Sequence, residues 1–147
     1  MISKRTQLRD ISQVRSLQLA AAEVAAGRAI QRLDRLREEC ARAEQRLTDI
    51  LQAWARHMQG SSLDLTLAGA WAESVGSAEQ SLAFIKDEIS QAEVQADHAR
   101  GQWKLGSVRS ENAQLQFRRS EKEAQRQAEE RAQLTASDLW PHLERGA

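Results

Sequence analysis

Apolar residues recur in alternating steps of three and four along most of this chain, and the pattern is interrupted once. It runs up to Met58, breaks at Gly60-Ser61-Ser62 and restarts at Trp71. From there it continues through Val75, Ala78, Leu82, Ile85, Ile89, Ala92, Ala96, Ala99 and Trp103. A stripe of that period needs a partner helix. One break near the middle lets the chain supply the partner itself by folding back. The pattern therefore predicts an all-α, antiparallel two-helix coiled-coil hairpin, an elongated rod. A rod holds, couples or spans more readily than it catalyses.

Composition agrees with this. Within 147 residues, aromatic content is 4%, Tyr is absent and there is one Pro, while charged residues make up 29%. A compact globular core uses more large apolar residues. Ala, Gln, Glu, Arg and Leu dominate instead, as in long helices. The net charge of zero argues against general nucleic-acid binding, which needs a basic excess. It conceals an asymmetry. Residues 1–60 carry 11 basic and 7 acidic side chains, and residues 61–147 carry 10 and 14, so paired arms attract. The single Cys40 excludes an internal disulfide. There is no apolar leader and no long apolar run, so no membrane insertion and a cytoplasmic location are expected.

The spacing predicts one helix over about 3–59, a turn over about 60–69, a second helix over about 70–137, with Thr66 as an alternative start, and a C-terminal tail over 138–147. The first stripe is Leu8, Ile11, Val14, Leu17, Ala21 and Val24, then Ile30, Leu33, Leu36, Cys40, Ala43, Leu47, Ile50 and Trp54. Its phase slips between Val24 and Ile30, near Gly27, which implies a relaxed supercoil and mild bending there. Gly60 suits a left-handed helix end, and Ser62 or Asp64 suits the next cap. Leu63, Leu65 and Leu67 are apolar enough to close the turn end. Pro141 marks the end of the second helix.

Folding about residues 62–63 places opposite residues at numbers summing to about 125. Trp54 then faces Trp71, Leu36 faces Ile89, Leu33 faces Ala92 and Phe117 approaches Leu8. Trp103 falls in the seam against Ala20-Ala21-Ala22. Large residues meet small ones along the seam, as interdigitated packing requires. The first helix ends opposite about residue 122, which leaves the C-terminal residues overhanging.

Catalytic constellations are missing from the sequence. Gly101 and Gly106 lie in helical context without a phosphate-loop pattern, and fit a close helix approach or a bend beside Trp103. None of His57, His98 and His142 has a second ligand at i+3 or i+4 that makes a credible metal site. Cys40 sits in the seam with no His to activate it. No enzymatic activity, cofactor or metal is expected. Candidate contact residues remain. Arg118, Arg119 and Lys122 form a basic run interleaved with glutamates, either a solvated face or a surface for a protein partner. Trp140 lies beyond any partner helix, and is either an anchor for another protein or an end that folds back. Phe84 lies beside the seam and adds to a surface patch near the turn.

The length, the turn near residues 60–70 and the Trp71-containing start of the second helix resemble one known family. So does the stretch Gln102-Trp103-Lys104 through Arg109, Glu111, Leu115 and Arg118-Arg119-Ser120-Glu121-Lys122. This is the FliJ/YscO family of type III secretion export stalks, flagellar or injectisome. The resemblance implies a helical hairpin whose paired termini enter a hexameric export ATPase. It also implies contact with the export gate, a membrane protein, and escort of secretion chaperones. The location implied is cytoplasmic, peripheral to the apparatus at the inner membrane, in protein export or flagellum biogenesis. On that reading Trp71, Val75 and Phe84 serve the turn end, and Arg118, Arg119, Lys122 and Trp140 serve the ATPase end. The rival reading is a structural coiled coil or adaptor, dimeric, without a secretion role. A nucleic-acid or membrane-surface role for residues 118–131 is opposed by the interleaved glutamates.

Overall fold

The computed structural model describes residues 3–60 and 64–145, with side chains through Pro141. Two helices account for the fold: α1 (Lys4–Gly60) and α2 (Leu65–Arg145). They pack on each other as an antiparallel two-helix hairpin. Among the described residues there is no strand, and no helix is long and apolar enough to cross a membrane.

Both helices start at side-chain caps. Ser3 Oγ accepts from the Thr6 amide at 3.2 Å. Asp64 Oδ1 accepts from the Thr66 and Leu67 amides at 2.9 and 3.4 Å. Each cap satisfies amides that the first turn leaves without helical partners. Asp64 is therefore a cap, as its sequence position suggests; Ser61, Ser62 and Leu63 lie outside the described residues.

The ends of the helices differ from the sequence reading. Gly60 is the last residue of α1 and has no positive φ, so it makes no left-handed cap. The second helix starts at Leu65, one residue before Thr66; Leu67 is half-buried within its first turn, while Leu65 is 79% exposed. It also runs past Ser137 and through Pro141. The ring of Pro141 removes one backbone hydrogen bond, to Ser137, and a single turn follows it, so the helix is not broken there.

Packing resolves into two units: the segment up to Ala22 with the segment from Gln102, and Glu23–Gly101. The turn unit holds the densest part of the seam. Leu33, Leu36, Ala92 and Ala96 form its buried cluster, with Ala29 and Ile89 packed against them. These six are the pairs whose numbers sum to 125. Two ion pairs cross the seam one residue beyond it, Arg37 to Glu93 at 3.6 Å and Lys86 to Glu44 at 3.8 Å. Both are exposed, and each contributes ~0–1 kcal/mol. In the terminal unit, Gly106 lies against Leu19 on the same register. A Cβ at Gly106 would stand 3.7 Å from the Leu19 Cα. Gly106 is thus the close approach, and Gly101 has nothing comparable near it.

The inward face of α1 departs from the stripe of large residues. Leu8, Ser12, Arg15, Leu19, Ala22, Ala26, Ala29, Leu33 and Leu36 are all buried or half-buried, in unbroken steps of four and three. Ile11, Val14, Leu17 and Val24 are exposed, Leu17 by 71%. The phase slip therefore belongs to the large residues, and the heptad itself is continuous. Trp103 also leaves the seam, at 40% exposed. Its register partner is the small Ala22, and the nearest close approach of the helices is that of Gly106 to Leu19. Ser110, which carries no apolar signal, is buried instead.

Candidate functional site

The seven residues singled out from the sequence fall into separate places. Trp71 and Val75 are half-buried on the seam of the turn unit. The Trp71 ring lies 5.8 Å from that of Trp54, tilted by 44°, and His57 stands 6.1 Å from Trp54 on its other flank. Both rings are committed to packing within the hairpin. Phe84 points outward, 64% exposed. Leu51, Met58 and Leu65, also exposed, add an apolar flank to the turn unit that the sequence reading missed. Each lies one residue beyond a heptad seam position, and continuing the heptad count through Trp54 would have found them.

Arg118, Arg119 and Lys122 are exposed on α2. Arg119 lines a shallow groove with Ser3, Arg5, Leu8, Glu123 and Ala124, where the start of α1 meets α2. Of the nearby cations, Arg126 pairs with carboxylates, at 2.7 Å to Glu123 and 3.9 Å to Glu130. Among the described residues no carboxylate lies within ion-pair distance of Arg118, Arg119 or Lys122. Trp140, 63% exposed, is more than four turns further along the helix. The basic run and Trp140 share one helix without sharing one surface patch.

Beyond the groove, every residue from Gln125 to Pro141 is exposed. This part of α2 is continuous helix with no face covered by α1.

Cys40 is the one thiol, half-buried in the seam. Burial pushes it up from the ordinary value of 9.0, and the charge and hydrogen-bonding oxygen of Glu44 push it further; Lys86 opposes them. Its Sγ donates to Glu44 Oε1 at 3.7 Å. A thiol held protonated in this way is a packing group. Among the described residues no group of three His, Cys, Asp or Glu side chains could hold a metal ion.

Comparison of this chain with known protein families, with curated proteins and with solved structures finds no match.

Proposed function

We propose that the chain is a coupling stalk of a type III protein export apparatus, joining the hexameric export ATPase to the export gate. The observation that supports this most is the uncovered helix from Gln125 to Pro141. A helix that buries no face in its own chain is stable chiefly against another surface. Its mixed charge suits the polar lumen of a ring. The exposed Arg118, Arg119 and Lys122 stand at the base of the extension, where a ring entrance would meet them. On this reading Phe84, Trp71 and Val75 of the turn unit serve the gate. The stalk needs no catalytic residue, because the ATPase performs the phosphoryl transfer. The association is cytoplasmic and peripheral to the membrane, and chaperones of late substrates are further partners.

The second reading is a coiled-coil adaptor without a secretion role. The exposed apolar residues on the outer faces, Leu17 and Val108 among them, favour it because they call for a partner along the sides of the hairpin.

ATP hydrolysis by the export ATPase of the same organism separates the two. Stimulation at about one chain per hexamer, lost when Arg118 and Arg119 become Glu while helicity is kept, supports the stalk. An ATPase indifferent to the folded protein rejects it and leaves the adaptor.

A further inference from the structure

The two units carry exposed apolar residues framed by opposite charge. In the terminal unit these include Ile11, Val14 and Leu17 on α1, with Leu105, Val108 and Leu115 on α2. The segments around them, 4–22 and 102–122, hold nine basic and three acidic side chains. In the turn unit the exposed residues include Leu51, Met58, Leu65 and Phe84, with Val24 and Val94 further from the turn. The segments 44–60 and 64–90 hold three basic and seven acidic side chains.

Little of this charge is neutralised within the chain. Among the described residues, Arg9 with Asp10 is the one ion pair of those nine cations. Glu44 with Lys86 is the one ion pair of those seven acids. Each unit therefore presents apolar surface inside an uncompensated field, and the fields have opposite sign. Exposed apolar surface rimmed by charge marks an interaction site, and complementary potentials select the partner.

We propose that these surfaces are an interface between copies of this chain, the terminal unit of one copy lying against the turn unit of another. Like units are kept apart, because nine cations would then face nine. An anionic lipid surface would attract the terminal unit but repel the turn unit and leave Leu65 and Phe84 in water. A second copy covers both patches with one contact type. This inference is independent of the export reading: an ATPase that ignores the chain leaves it standing.

Sedimentation equilibrium of the full chain tests it, at about 0.05 M and about 0.5 M salt, a range over which exposed charges become screened. The expected result is a concentration-dependent dimer at low salt whose Kd weakens about tenfold or more at high salt. Leu17→Asp weakens it similarly, with helical signal and melting unchanged because the side chain is exposed. Arg9→Glu with Arg109→Glu leaves seven basic and five acidic side chains on the terminal segments and weakens self-association. Glu73→Arg with Glu79→Arg balances the turn segments at five of each and weakens it too. Mixing the two variants restores the dimer. A single-chain mass at all concentrations up to about 100 µM, well above typical working affinities, overturns the proposal. So does a dimer indifferent to salt, to Leu17→Asp and to the charge swap, or binding to anionic vesicles without self-association.

Discussion

The indole rings of Trp54 and Trp71 lie 5.8 Å apart and tilted by 44°, one from each helix. Their contact pins the register of the turn unit near the end of α1 and the start of α2. Tilted aromatic pairs at this separation contribute beyond their buried area. Replacing Trp71 by Ala removes both the pair and a half-buried ring. We expect a loss of about 2–3 kcal/mol in denaturant unfolding, below the range for a fully buried Trp. Trp54→Ala should cost a similar amount. The double variant should cost less than the two losses combined, because both remove one contact. Full additivity would show that the rings stabilise the hairpin independently.

The position of the seam makes a contrast between two residues of α1 and α2. Ala96 is 0% exposed and lies between the helices, so Ala96→Leu forces them apart at a cost of about 1–3 kcal/mol. Leu17 is the larger residue but faces water, so Leu17→Ala costs less than about 0.5 kcal/mol. Urea midpoints of the two variants check this. The reverse order would restore the stripe of large residues as the packing face.

Asp64 carries the start of α2 with two amide contacts from one carboxylate oxygen. Asp64→Ala should cost about 1 kcal/mol, and Asp64→Asn or Ser less, because those side chains still accept from the amides. Chemical denaturation of the three variants measures it. Equal losses in all three would mean that the cap contributes nothing to this turn.

The Cys40 thiol gives a pH dependence. Its folded value is raised, so the native state holds the proton more tightly than the unfolded chain does. That contribution to stability is fully present below the unfolded thiol's pKa and is lost as pH rises through the folded value. Reaction with a thiol reagent should follow a titration above 9.0 in the native protein and return to the ordinary value in urea. Glu44→Gln should bring the native value part of the way down, leaving the effect of burial. A native titration at or below 9.0 would remove Cys40 from the seam.

Much of the hairpin is legible in the sequence where the apolar signal and the heptad coincide. From Leu33 to Trp54, and from Trp71 to Ala99, seam residues are also the apolar ones, and the register follows from them. It is illegible where size and position disagree. In the first six turns of α1 the large residues Ile11, Val14, Leu17 and Val24 lie on the outer faces, while Ser12, Arg15 and Ala22 point inward beside Leu8 and Leu19. Hydrophobicity followed the former; strict counting back from Leu33 in fours and threes would have found the latter. Trp103 misleads for the opposite reason, since it holds a heptad seam position yet is exposed. The contact residues were less legible than the fold. Exposure of Phe84 and of the basic run could be foreseen, whereas Leu51, Met58 and Leu65 border seam positions and only the heptad count, not their apolar character, marks them as surface.

The inward face of the terminal unit has a dynamic consequence. Ser12 and Arg15 line it on α1, and Ser110 on α2, where the turn unit has Leu33, Leu36 and Ala96. With few apolar contacts to break, that segment opens at small cost, as low-stability segments do in native-state hydrogen exchange. Amide deuteration should therefore advance like a zip drawn from its free ends. Protons at Ser12, Leu19 and Ala113 should exchange through partial opening, while those at Leu36 and Ala92 wait for global unfolding. The two chain ends then behave as a clasp that unfastens while the rest of the hairpin stays shut.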